Sequence, residues 1–193
     1  MLSAAIIMIA AANIVVEYRF TNTAKTDVYL FSTLFHISPD GSQTPDPELI
    51  YVVPGDPGEA VIGKYLAAIP AGMKVESPEL PYLEVLHPGQ THTGRAAVPV
   101  PVRRHAAYSD PGEPDPGRSG EVKRLRLRIG VLDSAKFPRP APVVQPAPPP
   151  PNSFICDYGF GIAIQQFYDV ELTLPEPGVP EHFTRLKRAM PPG

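Results

Sequence analysis

Several residue types that carry chemistry in other proteins are scarce in this sequence. The chain has no tryptophan and a single cysteine, Cys156, which excludes an intramolecular disulfide and a cysteine-based zinc site. Its five histidines do not follow a metal-binding spacing. Phosphate-binding loops, nucleophile elbows and dinucleotide fingerprints are also missing. We therefore predict no catalytic residues, no metal and no cofactor.

Long hydrophobic runs and a strong net charge are absent too. The most apolar stretch, at the amino terminus, is too short to span a membrane. The formal net charge is −3, which gives no indication of a nucleic-acid-binding surface. We expect neither a stable membrane span nor a nucleic-acid partner.

The amino-terminal stretch MLSAAIIMIAAANIVVEYRF allows two interpretations. The alanines at 10–12 resemble the cleavage site of a secretory signal, but the first basic side chain is Arg19 and a charged leading region is missing. In the other interpretation, residues 6–10 and 14–21 are two strands of a hairpin. We favour the hairpin and a cytoplasmic location; the alternative is a secreted or periplasmic domain with a cleaved signal.

Proline and glycine are abundant, with 27 and 15 residues among 193. Proline costs about 3 kcal/mol in a helix interior, so this composition disfavours long helices. Strict alternation appears instead: Val16, Tyr18 and Phe20 share one face of a strand, and residues 28–35 are apolar on both faces. In residues 122–132, leucines alternate with arginines. We predict an all-β protein of eight or nine strands without a convincing amphipathic helix, and interpret GFG at 159–161 as a bulge or bend.

Residues 91–102 form an alternating segment that ends in prolines. His87, Pro88 and Gly89 have turn chemistry, and Val98, Val100 and their alternating neighbours then share one face. Because proline cannot donate to a β-ladder, Pro99 and Pro101 place this strand at a sheet edge.

The expected organisation is one domain over residues 1–176. It carries a polar loop at 38–47, a flexible loop at 109–120 and a proline-rich insert at 138–151, where eight of 14 residues are proline. We expect the insert to be exposed and either polyproline II or disordered. Residues 177–193 are a basic tail, which we expect to be mobile.

The series VVEYRFTN, VYLFSTLF and LEVLHPGQTHTGRAAVPVPV resembles immunoglobulin-like accessory domains, over about half the chain. In those domains an asparagine-containing turn joins two early strands, and a Pro-Gly corner precedes an edge strand. Small intracellular proteinase-inhibitor-like domains are one group with this pattern. The resemblance implies a single antiparallel immunoglobulin-like β-sandwich with proline-rich loop insertions.

Arg124, Arg126 and Arg128 project from one strand face, about 6.6 Å apart. Like charges this close need acidic neighbours, for which Glu17 and Glu171 are candidates, or an anionic partner. We predict a non-enzymatic module that binds an unidentified protein through these arginines or through the edge at Val98 and Val100. The sequence does not fix its oligomeric state.

Two further functions stay open. One is a small hydrolase-like enzyme with a site assembled from His92, Asp157 and Arg126. The other is the secreted or periplasmic domain. For Cys156 we expect a buried, unreactive thiol whose pKa is raised by the neighbouring Asp157.

Overall fold

The computed structural model describes residues 1–10, 12–38, 40–108, 122–137, 144–146 and 152–174. These ranges contain twelve strands and one short α-helix. The strands are β1 (Leu2–Ile9), β2 (Asn13–Thr21), β3 (Val28–Ile37), β4 (Gln43–Asp46), β5 (Tyr51–Pro54), β6 (Glu59–Lys64), β7 (Tyr82–Leu86), β8 (Thr91–Pro99), β9 (Arg124–Asp133), β10 (Val144–Pro146), β11 (Ser153–Cys156) and β12 (Gln166–Thr173). The helix is α1 (Tyr158–Ile164).

The strands form two sheets. The small sheet has the order β1-β2-β8 and is antiparallel. The large sheet has eight strands: the path β10-β11-β7-β3-β9-β6-β5, with β12 paired to β9. Strand β4 adds a short ninth member alongside the end of β3. The prediction of a mostly β fold is confirmed.

The main hydrophobic core contains side chains from both sheets. Tyr18 and Phe20 of β2 and Leu125 and Leu127 of β9 are almost fully buried in one cluster. These are the residues that the period-two alternation assigned to inner faces, so the alternation correctly predicted which face of each strand is buried. Strand β3 is covered on both faces, as its sequence predicted: Leu30 belongs to this cluster and Phe31 to a second, smaller one.

The predicted purely antiparallel arrangement is wrong at one place. Strand β6 runs parallel to β9, with Ile62 opposite Leu127, so the large sheet is mixed. A parallel pair needs a long crossover connection, and sequence alternation carries no information about strand direction. The strand number was also underestimated, because β4, β10 and β11 have only three or four residues each.

The amino-terminal hairpin is confirmed. Strand β1 begins at Leu2, four residues earlier than predicted, and pairs with β2 in antiparallel register from Leu2 opposite Phe20 to Ile9 opposite Ile14. The hairpin does not test where the protein is located, so the cytoplasmic location and the secreted or periplasmic alternative both stay predictions.

Strand β8 lies at the edge of the small sheet, as its prolines predicted, because in the described residues it pairs with β2 alone. It ends at Pro99, however, so the predicted extension to residue 102 is wrong. Ala96 and Val98 of its inner face are fully buried.

Three local predictions require correction. The GFG segment at 159–161 lies inside α1, which begins after Asp157 because that carboxylate accepts a hydrogen bond from the Phe160 N–H, at 2.8 Å. Strand β4 occupies part of the predicted loop at 38–47. Within the insert, Val144–Pro146 form β10, because β11 offers a pairing edge.

Other parts of the organisation fall outside the described residues. These are the loop at 109–120, the remainder of the insert at 138–151 and the tail at 177–193. The single domain over 1–176 stays a prediction. In the described ranges, no helix has the length and apolar character required to cross a membrane.

Asn22 fastens the two sheets together at one end. Its buried amide nitrogen donates to the Leu86 carbonyl, at 2.8 Å, and to the Thr26 carbonyl, at 2.9 Å. Its backbone exchanges hydrogen bonds with the Pro-Gly corner: the Gly89 N–H donates to the Asn22 carbonyl, and the Asn22 N–H donates to Gln90. The asparagine turn and the Pro-Gly corner of the sequence are therefore one hydrogen-bonded unit.

The packing of Tyr18 against Gly94, which lies opposite it on β8, predicts that two glycines respond differently to substitution by alanine. A Cβ at Gly94 would lie 2.4 Å from Cζ and Oη of buried Tyr18, whereas at Gly159 the nearest atom is 3.6 Å away. We expect Gly94→Ala to lower the free energy of unfolding by about 1–3 kcal/mol through overpacking. Gly159→Ala, within α1, should leave it unchanged or raise it. Urea denaturation of both variants measures this, and equal stability of the two would contradict the described packing.

Candidate functional site

The outer face of the large sheet carries a group of aromatic side chains around Tyr65. This residue follows β6, and its ring lies above two glycines. A Cβ at Gly63 would lie 2.7 Å from Cε1 of Tyr65, and a Cβ at Gly130 would lie 2.8 Å from its Cβ. Glycine at both positions therefore leaves the space that the tyrosine occupies.

Tyr65 connects aromatic neighbours on both sides. Its ring centroid is 5.4 Å from that of Tyr51 and 5.8 Å from that of Phe167, both in edge-to-face geometry. The Arg128 guanidinium lies over the Phe167 ring, 5.0 Å from its centroid. Phe167 is 46% exposed, so an apolar surface reaches solvent here.

A depression of about 220 Å³ adjoins this aromatic group. Three tyrosines line it, Tyr51, Tyr65 and Tyr108, together with Arg104 and small side chains such as Ala68. Its wall comes from β5, the segment after β6 and the segment that follows β8. We call this feature the tyrosine depression.

Glu79 holds two of these tyrosines, one through its buried carboxylate and one through its backbone N–H. The Tyr51 hydroxyl donates to Oε1 of Glu79 at 2.7 Å, and the Glu79 backbone N–H donates to the Tyr108 hydroxyl at 2.9 Å. Burial raises the pKa of Glu79, and the hydrogen bond from Tyr51 opposes this effect. Burial and the nearby Glu79 carboxylate raise the pKa of Tyr51. The depression is therefore lined by neutral phenols held in defined positions.

The three predicted arginines lie on this same outer face, and two of them have acidic partners. Nη2 of Arg126 lies 2.7 Å from Oε1 of the buried Glu59. Arg128 makes two hydrogen bonds to Asp169, at 2.9 and 2.8 Å. These hydrogen bonds, together with the charge of Arg128, lower the pKa of that carboxyl. Arg124 is exposed at the start of β9. Acidic side chains on this face therefore neutralise most of the arginine charge.

The acids that neutralise it differ from those expected. Glu17 lies on the small sheet, 3.8 Å from Arg19 and 3.7 Å from Arg95. Glu171 stands opposite Arg126 in the β9–β12 register, but the ion pair of Arg126 is with Glu59. Finding Glu59 required the parallel β6–β9 pairing, which no local pattern in the sequence reveals.

The other predicted contact residues are separated from the depression. Val98 is fully buried between the sheets. Its backbone faces β2, because the neighbouring Ala97 N–H points to the open edge, where it donates to the Glu48 carbonyl. Val100 is 39% exposed beyond the end of β8. Contact at this edge stays a prediction.

The residues of the enzyme alternative are engaged in separate interactions. Nδ1 of His92 lies 2.8 Å from Oε2 of Glu84, Asp157 caps α1, and Arg126 contacts Glu59. Among the residues that the structure describes, no group of three or more histidine, cysteine or acidic side chains is arranged to hold a metal ion. The geometry gives the enzyme alternative no added support.

Cys156 behaves as its sequence context predicted. Its side chain is buried in the small second cluster. Burial, with the Asp157 carboxylate as a smaller contribution, raises the pKa of the thiol to about 11. The thiol is therefore protonated near neutral pH and is a poor nucleophile.

One buried lysine was not predicted from the sequence. Lys64, at the end of β6, is fully buried. Its Nζ donates to the carbonyl oxygens of Ser32, at 2.9 Å, and Pro47, and lies 5.8 Å from the centroid of the Tyr18 ring. Burial lowers its pKa to about 8. The available signal was a single lysine inside the otherwise apolar run VIGKYLAAI.

Comparisons with known proteins give no identification. No protein-family model matches the chain, and neither a curated protein nor a solved structure matches it with significance. Interpretation of the site therefore depends on its own geometry.

The buried lysine predicts a specific pH dependence of stability. Its pKa is about 8 in the folded protein against 10.5 in the unfolded chain, so the unfolded state binds more protons between these values and stability rises with pH. We expect Lys64 to add about 1.5 kcal/mol to the free energy of unfolding between pH 8 and 9.5. Urea denaturation over this range, compared between wild type and Lys64→Met, measures the contribution.

The quantity to compare is the difference in free energy of unfolding between wild type and Lys64→Met. Both proteins contain Cys156, whose raised pKa lowers the free energy of unfolding as the pH rises. A matched control is Lys123→Met, which removes an exposed lysine and should keep the wild-type pH dependence. Parallel curves for wild type and Lys64→Met would contradict the lowered pKa.

Proposed function

We propose that this protein is a non-enzymatic binding module that engages another protein through the outer face of its large sheet. The observation that carries the proposal is the tyrosine depression of about 220 Å³. Pockets that enclose a whole small-molecule ligand measure roughly 300–1,000 Å³. The depression is therefore better suited to one anchoring side chain of a protein partner than to a complete substrate.

The residue types around the depression support this proposal. Tyrosine and arginine are enriched among the residues that dominate binding energy at protein interfaces. Tyr51 is held by its hydrogen bond to Glu79, and Tyr65 is held by close packing above Gly63 and Gly130. Side chains that are already ordered lose little conformational entropy on binding, so more of the contact energy appears as affinity.

The arginine row supplies a polar margin for the same surface. Exposed Arg124 is the member best placed to meet an acidic group of a partner. Arg126 and Arg128 would keep their own acids, and Arg128 would contribute through its contact with Phe167. The edge of β8 near Val100 is a second possible contact region within this proposal.

The immunoglobulin-like interpretation belongs to this proposal as well. It is supported by the two packed sheets and by the junction of the Asn22 turn with the Pro-Gly corner. The parallel β6–β9 pair is a departure from that pattern. A cytoplasmic location remains our preference, and mass spectrometry of the mature amino terminus tests it: removal of about the first twelve residues would favour the secreted alternative.

Filling the tyrosine depression should weaken partner binding. Ala68 is exposed and lines the depression, so Ala68→Trp should occupy it without removing any tyrosine. We expect proteins that the wild-type chain recovers from an extract of its native host to be depleted with this variant. Quantitative mass spectrometry of the recovered proteins measures the change, which we expect to be at least about tenfold, or 1.4 kcal/mol.

The matched control is Ala135→Trp, which adds the same side chain at an exposed alanine in the short turn after β9. Support requires a protein that is recovered with wild type and Ala135→Trp and is depleted with Ala68→Trp. Identical recovery with all three proteins would refute the proposed surface.

A further inference from the structure

One edge of the small sheet lacks the features that normally prevent strands from pairing with other molecules. In the described residues, six strands pair with only one other strand: β1, β4, β5, β8, β10 and β12. Exposed edges are commonly protected by charges or prolines. Five of these six contain a proline or a charged residue, and β1, with the sequence LSAAIIMI, contains neither.

The backbone of β1 offers hydrogen-bonding groups along this edge. Met1 and Thr21 exchange two hydrogen bonds, Met1 N to Thr21 O at 2.6 Å and Thr21 N to Met1 O at 2.8 Å. In an antiparallel pair, every second residue of a strand directs its N–H and C=O groups towards the neighbouring strand. Since Met1 faces β2 in this way, Ser3 and Ala5 do so too. The backbone groups of the remaining residues in this stretch point to the open edge; these residues are Leu2, Ala4 and Ile6.

We propose that two copies of this protein associate through β1, in antiparallel register about a two-fold axis at Ala4. This register places Leu2 opposite Ile6 of the partner subunit and Ala4 opposite Ala4 of the partner subunit. Every residue with outward-facing backbone groups then meets another such residue, and each pair exchanges two hydrogen bonds, which gives roughly six across the interface. The small sheets of the two copies join into one continuous sheet.

The side chains of β1 fit a second copy of the same strand. Leu2, Ala4 and Ile6 pack against the main core, so pairing in this register extends the apolar layer of each subunit into that of the other. The first charged side chain in the sequence is Glu17, so symmetric pairing brings no like-charged side chains together within β1. Such self-complementarity is the requirement of a closed two-fold interface.

The exposed apolar residues of β1 lie at the end of this edge. Ile7 is 38%, Met8 46% and Ile9 37% exposed. A shift in register between Ile6 and Met8 ends the regular edge there. In the symmetric pair, the first residues of the partner's β1 would lie next to this end and cover part of its apolar surface. The tyrosine depression is on the other sheet and would remain accessible.

Two variants of the full chain test this association. Ala4→Pro removes an N–H that points to the open edge, so it blocks pairing without removing a hydrogen bond to β2. Ile7→Lys places a charge at the apolar end of the edge, which β1 of the partner subunit would cover in part. We expect each to raise the dimer dissociation constant at least about tenfold. Sedimentation equilibrium over a range of concentrations measures it, with circular dichroism as the check on folding.

The matched control is Ile37→Lys, which changes a 55% exposed isoleucine on β3 and should leave the dissociation constant unchanged. A wild-type chain that is monomeric at all concentrations would overturn the proposal. So would a dimer that persists in Ile7→Lys, or one that Ile37→Lys disrupts equally. If Ala4→Pro fails to fold, the comparison of the two lysine variants still decides the outcome.

Discussion

The alternation of side chains along β9 determines most of this architecture. Leu125, Leu127 and Ile129 point into the space between the sheets and are completely buried. Because successive residues of a strand point to opposite faces, the intervening arginines must occupy the outer face. Burial of an apolar residue of this size contributes about 1.5–3 kcal/mol, far more than an exposed ion pair, so the core fixes the strand and the outer face adapts to it.

That adaptation explains the composition of the outer face. Arg126 and Arg128 need acidic neighbours, which β6 and β12 supply as Glu59 and Asp169. Beyond them, Gly130 leaves room for Tyr65, which brings Tyr51 and Phe167 into one aromatic group. The polar and aromatic halves of this face therefore follow from one strand, and Arg128 belongs to both.

The sequence could predict those features that depend on neighbours along the chain. The inner faces of β2 and β9 follow from local alternation, and the edge position of β8 follows from its prolines. The raised pKa of the Cys156 thiol follows in part from the charge of the adjacent Asp157. The partner of Arg126, the environment of Lys64 and the tyrosine depression depend on which strands become neighbours. Residues 59 and 126, or 51 and 108, meet only after long-range pairing, and no period in the sequence encodes that pairing.

Asn22 has a consequence for how the two layers can move. The β2–β3 connection and the Pro-Gly corner before β8 both pass from one layer to the other, and Asn22 bonds them together. At the other end of the sheets, the Ala97 N–H of β8 donates to the Glu48 carbonyl, at 3.1 Å, and His105, in the segment after β8, pairs with Val52 of β5. The two layers are therefore bonded to each other at both ends, and we expect amide exchange to be slow at both ends of β2, near Phe20 and near Ile14.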